Sequence, residues 1–345
     1  MRSKASSLFG VQQLGLVIII LLLGVLMTIF APTHVDRISG HTVSNFFNPT
    51  TLIQVATDTS FFAIMAVGMT MVIISAGIDL SIGSIYALCA VLMALYMHNS
   101  MPTAPALQQV LVAIVICCGV GVIAGLVNGV MVCRLGVHPF IITLGTMWVF
   151  RGIAFVKTKG LSILVPDSLT HVVKANLGMR RDLFPIPMLV MVLVAIAGAL
   201  FLQKTTWGRR IFAVGGNIEA AKYSGLPINR ILTSVYVLGG LCAGIAAFVG
   251  TSYYGSASSG DATGYELYVI ASAVVGGASL NGGKGSAVGA LLGALLIVMI
   301  RQAIRTFDWD QNYEYIIIGT AIVLSVVFDR WGHVLAQRHL MRSRQ

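Results

Sequence analysis

Charge is what this sequence has least of. Its 345 residues include 12 Asp and Glu against 22 Lys and Arg, so charged residues make up 10% of the chain. An ordinary soluble domain carries about 25%, and this much polar surface cannot cover a water-exposed globule. A soluble enzyme, a DNA-binding module and a disordered chain are excluded. Cysteine is sparse and unpatterned. Cys89, Cys117, Cys118, Cys133 and Cys242 lie in or beside apolar runs, with neither metal-ligand spacing nor a secreted framework. Histidine is also unhelpful as a ligand: His34, His41, His98, His171, His333 and His339 fall in loops or tails, and His138 precedes Pro139 at the start of an apolar run. No metal site and no cofactor are expected.

Catalytic motifs are missing as well. There is no Gly-x-Ser-x-Gly elbow and no His-Glu-x-x-His. The run Asn281-Gly282-Gly283-Lys284-Gly285-Ser286 invites a phosphate-loop reading, but Ala278 stands where the loop needs its first glycine and Gly285 where it needs Ser or Thr. Intramembrane acids are too few for a proton relay. The expectation is no enzyme, no catalytic residue and no ATP site on this chain.

Apolar residues are abundant. They form 57% of the sequence, or about 197 residues, enough for about ten membrane-spanning helices of roughly 20 residues each. The first apolar run, Leu14 to Ala31, exceeds the roughly 7–15 residues of a signal-peptide core and reads as a retained span. Hydropathy divides the chain into segments at 11–31, 59–76, 82–97, 109–132, 139–156, 187–203, 231–250, 266–277, 286–304 and 314–328. The eighth is too short to cross ~30 Å of hydrocarbon as a straight helix. The second breaks at Gly77-Ile78-Asp79-Leu80. Bared backbone is tolerated in a membrane only where protein or a water cavity surrounds it, so the breaks near Asp79 and Gly282 point to the interior. The expected fold is an all-α polytopic membrane protein of about ten helices, some broken or short.

Basic residues set the orientation. With both termini cytoplasmic, inner segments hold 13 of the 22 Lys and Arg, although the long outer loop 157–186 carries Lys157, Lys159, Lys174, Arg180 and Arg181. The largest cytoplasmic loop, 204–230, should contain one short exposed helix. Gly215-Gly216-Asn217 signals a turn with Asn217 as N-cap, Glu219 sits at the positive helix end, and Gly225 with Leu226-Pro227 stops it. Such a helix either lies on lipid or docks in a partner's groove.

Glycines recur every fourth residue at Gly121, Gly125 and Gly129, and at Gly285, Gly289 and Gly293, clearing helix faces for close packing. Gly77-x-x-Leu80-Ser81-x-Gly83 is echoed by Gly277-x-x-Leu280-Asn281-x-Gly283; repeats of this kind line the route in many transporters. Asp79 either caps the following helix or serves the substrate path, the cap being favoured because it removes most of the desolvation cost. Asn128 and Thr143 are the other candidates along that path, and with Thr146 and Trp148 are otherwise helix–helix bonders and interface anchors.

Four stretches resemble permease subunits of bacterial ABC sugar importers: AVGMTMVIISAGIDLSIGSIYAL (66–88), LVNGVMVCRLGVHPFIITLGTMWVFRGIAF (126–155), GRRIFAVGGNIEAAKYSGLPINRI (208–231) and VVGGASLNGGKGSAVGALLGALL (274–296). The likeness is to the ribose/xylose type, in the group that includes branched-chain amino-acid permeases. It implies a type II-like bundle forming a single transmembrane permease domain over 1–345, in the bacterial inner membrane among its lipids. The implied partners are a cytoplasmic ABC ATPase subunit, a periplasmic substrate-binding protein, and a second permease copy or paralogue; nucleic acid is not one. Glu219-Ala220-Ala221-x-x-x-Gly225 resembles the EAA-type coupling motif, without its usual Ile-x-Leu-Pro in register. The resemblance thus assigns ATPase coupling to Gly215, Gly216, Asn217, Glu219, Ala220, Ala221 and Gly225, within a coupling loop at 204–230 opposite the periplasmic loop 157–186. The implied cargo is a ribose- or xylose-like monosaccharide moved by alternating access. A passive channel or ion-coupled carrier is the alternative of another class. An amino acid, a nucleoside or a furanose-like signal molecule is the alternative within the family.

Overall fold

The computed structural model describes residues 11–35, 42–176, 178, 183–324 and 327. The chain ends that would test a cytoplasmic placement of both termini, including Arg2, Lys4, Arg330, Arg338, Arg342 and Arg344, lie outside the described residues, as do Arg180 and Arg181 in the 157–186 loop. Among the described residues, eight helices are long and apolar enough to cross a membrane. They are α1 (Val11–Phe30), α2 (Pro49–Ile74), α3 (Ile82–Ser100), α4 (Ala106–Leu135), α5 (Pro139–Thr158), α7 (Pro185–Lys204), α10 (Ile228–Tyr254) and α12 (Ala287–Thr306). Two shorter apolar helices, α11 (Tyr265–Val275) and α13 (Tyr313–Leu324), complete ten segments. Three short helices sit between spans: α6 (Asp167–Val173), α8 (Thr206–Gly216) and α9 (Ile218–Tyr223). The protein is therefore an all-α polytopic membrane protein, and the segment expected to be too short is α11, ~16 Å long at 1.5 Å per residue.

Most helix ends follow local chemistry. Asn48 accepts from the N–H of Thr51 at 2.8 Å with Pro49 at the first position, which starts α2 ten residues before its hydropathic segment. Those residues, Pro49 to Asp58, carry Thr, Gln and Asp that a hydropathy reading passes over. Gly136 and Gly255, in the left-handed conformation, end α4 and α10.

α2 is the central post of the bundle: 94% of its apolar stretch is buried, against 11% for the peripheral α1. Small residues such as Ala63, Ala66 and Gly68 let neighbours close in on α2, while α1 presents Ile18, Leu21 and Ile29 outward. α10 packs along α4 through glycine-cleared faces. A Cβ on Gly121 would strike the Gly240 carbonyl, one on Gly125 the Tyr236 carbonyl, and one on Gly129 the Thr233 backbone. Gly289 and Gly293 clear α12 in the same way against Gly276 and Ser272. Gly285, expected in that row, instead precedes the helix with φ 154°.

Two small ribbons lie between helices. β1 (Thr33–Val35) pairs antiparallel with β2 (Thr42–Ser44), and β3 (Ile163–Leu164) with β4 (Ser256–Ala257), Ile163 opposite Ala257. The second ties the 157–186 loop to the far end of α10. Because α10 has 27 residues, ~40 Å of helix separates that ribbon from α8 and α9.

Candidate functional site

The break between α2 and α3 is a buried polar knot. The Asp79 carboxylate accepts from the Ser81 backbone N–H at 2.8 Å and from the Ser81 hydroxyl at 2.6 Å. Asn128 on α4 donates its Nδ2 to Ser81 Oγ at 2.7 Å. Thr143 on α5 accepts from the Leu80 N–H at 3.1 Å, and its hydroxyl lies 3.2 Å from the Ile78 carbonyl. Asp79, Asn128 and Thr143 are all buried. The three residues singled out by polarity therefore meet at one place, on three different elements. Asp79 does not bond the first-turn amides of α3 as an N-cap would; Ser81 holds that position, and its side chain makes no capping bond to those amides either. Asp79 acts two residues earlier, closing a turn that directs Ser81 toward Asn128.

The 204–230 loop holds two helices where one was expected. Thr205 caps α8, accepting from the Gly208 N–H at 2.9 Å, and Asn217 caps α9, accepting from the Ala220 N–H at 2.9 Å. Gly215 and Gly216 end α8 rather than forming a free turn. Gly225, at φ 76°, lets the chain double back so that the Leu226 N–H donates to the Ala221 carbonyl at 3.1 Å. Glu219 and Ala220 face outward, Tyr223 is 87% exposed, and Ala221 is buried. α9 is thus an exposed step with a carboxylate in its first turn and an aromatic at its end.

Gly215 links this step to the bundle. A Cβ there would strike the Ile74 carbonyl at the end of α2 and lie 3.0 Å from the Gly283 nitrogen. The Gly283 N–H itself donates to the Ile74 carbonyl at 2.8 Å. The end of α2, the 277–285 turn and the end of α8 therefore meet. Next to them a cavity of about 540 Å³ is lined by residues that include Ala76, Gly77, His138, Gly216, Asn217 and Tyr236. It joins the candidate coupling residues to the broken helix.

Several polar groups inside the bundle went unremarked in the sequence. Arg151 on α5, itself buried, donates to the Ser259 and Asp261 carbonyls at 2.7 and 2.6 Å. Asp261, in the loop beyond α10, has its carboxyl raised above the usual range by burial, while the Ser258 N–H and Arg151 hold it down. Arg301 on α12 pairs with Glu314 on α13 at 2.6 Å and sits 5.3 and 5.1 Å from the Phe62 and Tyr268 ring centres. Arg305 pairs with Asp58 at 3.5 Å. The signal was available, since an ionisable residue within a span is a functional hypothesis by default. Among the described residues, no three His, Cys, Asp or Glu gather as a metal site.

The architecture is that of a multi-pass helical membrane protein with a broken central helix, a short companion helix and a protruding helical step between spans. Sequence comparison makes this specific. The chain belongs to the family described as the permease component of the branched-chain amino acid transport system, which matches residues 51–326. It is 37% identical over 286 residues to a ribose import permease of Escherichia coli K12, covering 83% of this chain and 87% of that one. It is 33% identical over 293 residues to a fructose import permease of Rhizobium meliloti, covering 83% and 79%. A D-allose transport permease of E. coli K12 is 32% identical over 287 residues, covering 83% and 85%. No solved structure matches.

Proposed function

We propose that this chain is the membrane subunit of an ATP-driven importer that carries a monosaccharide across the bacterial inner membrane. The relatives that import ribose, fructose and D-allose support the cargo class. A separate ATPase subunit docks on the exposed step of α8 and α9. A periplasmic binding protein delivers sugar at the β3–β4 end, and a second copy or a paralogue completes the pore. Both termini and the 204–230 loop are then cytoplasmic, and the 157–186 loop is periplasmic.

The contact of Gly215 with Ile74 and Gly283 carries the reading. Glu219, Ala220 and the cap Asn217 present α9 to the ATPase; Ala221 and Gly225 fix its seat; Gly215 and Gly216 join it to the bundle. ATP-driven closure of the ATPase dimer would move this step as a rigid body. The movement bears directly on the end of α2 and on the 277–285 turn, the elements beside the 540 Å³ cavity. Asp79, Asn128 and Thr143 form the polar knot that lets the α2–α3 break keep its shape as the path opens and closes.

The test is ATP-dependent uptake by vesicles holding the chain with its ATPase, with ATP enclosed in the cytoplasmic-facing lumen and loaded binding protein outside. Glu219→Lys and Tyr223→Ala should release the ATPase on purification and lower uptake about tenfold or more, with the chain still inserted. Uptake by the purified chain without an ATPase would replace the reading with a passive or ion-coupled carrier.

A further inference from the structure

Around the α2–α3 break three buried oxygens have no hydrogen-bond partner: Asp79 Oδ2, Asn128 Oδ1 and the Tyr236 hydroxyl. The three residues are 1%, 0% and 1% exposed, and they come from the break, α4 and α10. Two of them are already tied together. The Ser81 hydroxyl donates to Asp79 Oδ1 at 2.6 Å and accepts from Asn128 Nδ2 at 2.7 Å, so the opposite oxygen of each group is left bare at the same knot. Tyr236 reaches that break as well, since a Cβ on Gly77 would lie 2.7 Å from its hydroxyl.

Charge at this knot is unbalanced. Among the described residues the ion pairs join Arg301 to Glu314 and Arg305 to Asp58, and none reaches Asp79. A carboxylate removed from water is paired, coordinates a cation or takes up a proton. A proton on Oδ2 serves one further oxygen and leaves the other bare, whereas a cation is shared by all three. The donors are all oxygen, which suits a hard cation. Ca²⁺ gathers about 6–8 oxygens, and a single carboxylate balances one positive charge, so the chemistry selects a monovalent ion. A route is present. Tyr236 and Gly77 line the cavity of about 540 Å³, whose other walls include the exposed His138, Gly216 and Asn217.

We propose that Asp79, Asn128 and Tyr236 hold one monovalent alkali cation, which neutralises the buried carboxylate and ties α10 to the α2–α3 break. The inference goes beyond the importer reading and does not rest on it, because the ion is a fixed part of the bundle and not cargo.

The thermal midpoint of the detergent-solubilised chain tests this at constant pH and ionic strength in NaCl, KCl or N-methyl-D-glucamine chloride, the last supplying a cation too large for the knot. An alkali chloride should raise the midpoint saturably, by about 3 °C. Equilibrium dialysis with radiolabelled sodium and rubidium, the latter standing for potassium, should find one saturable site per chain. Asp79→Asn keeps the side-chain shape without the charge and should abolish both signals. Tyr236→Phe keeps the ring and should raise the half-saturating concentration about tenfold. Equal midpoints in the three salts, no saturable ion in dialysis, or a response that both variants leave unchanged would overturn the site. A midpoint that follows pH alone, indifferent to the alkali ion, would give the carboxyl a proton in its place. Uptake driven by a sodium gradient without ATP would make the ion a co-substrate and overturn its fixed role.

Discussion

The Gly283 N–H donates to the Ile74 carbonyl at 2.8 Å, joining positions 209 residues apart at the point where α8 ends against them. Neither residue is polar in its side chain, and the bond is made possible by backbone. α2 leaves the Ile74 carbonyl free of an intrahelical partner at its terminus, and Gly283, at φ 72°, turns its N–H toward it. The close approach of Gly215 then makes this junction sensitive to a single methyl group.

Gly215→Ala should therefore disable transport, whereas Gly216→Ala should not. A Cβ at 215 meets backbone that cannot rotate away, while one at 216 meets nothing within 4 Å. Overpacking of this kind costs about 1–3 kcal/mol. Measured ATP-driven uptake at equal membrane abundance checks the pair; equal activity of the two variants would remove Gly215 as the link.

The α4–α10 seam offers a contrast of the same form. Gly240→Val should lower the thermal midpoint of the detergent-solubilised protein sharply, because the Gly121 carbonyl occupies the space its side chain needs. Gly119→Val, on the same α4 but with open space around it, should change it little. A comparable loss in both would mean that the seam does not hold the bundle.

Arg151→Met should destabilise the protein by about 2–3 kcal/mol, the worth of hydrogen bonds from a charged donor. It strands the Ser259 and Asp261 carbonyls and releases the loop between α10 and α11. Limited proteolysis between 256 and 264 should accelerate. Unchanged cleavage would show that the ribbon of β3 and β4 suffices to hold the loop.

Ser81→Ala and Asn128→Ala should be coupled. Each removes one end of the 2.7 Å bond between α3 and α4, so the double variant should lose less than the two single losses together. The interaction free energy in the double-mutant cycle should be about 0.6–1.7 kcal/mol, as for other hydrogen bonds between membrane helices. Additive losses would leave Asp79 and Thr143 as the anchors of the turn.

Part of this arrangement is legible residue by residue. Asn217 reads as a cap and accepts from Ala220; Gly225 reads as a helix stop and adopts positive φ. Both are signals whose cause lies within a few residues. α8 escaped notice because Gly215 and Gly216 look like a turn, whereas they form the last residues of the helix, with the Asn217 N–H donating back to the Ala213 carbonyl. Arg151, Arg301 and Arg305 lie inside apolar stretches, where the hydropathy average absorbs a single charge and hides its partner on a distant helix.

Composition and hydropathy by themselves determined that this chain is a membrane bundle of ten apolar segments, with breaks near Asp79 and Gly282 and glycine-cleared faces on α4 and α12. These follow from local causes: apolar length against bilayer thickness, and backbone freedom at glycine. Only the tertiary structure decided which faces meet. It brought Ser81 to Asn128, Arg151 to the loop 108 residues away, and the two breaks to each other across Gly215. Such pairings depend on how helices of fixed length and pitch cross in space, and that is a property of the whole bundle rather than of any one of its segments.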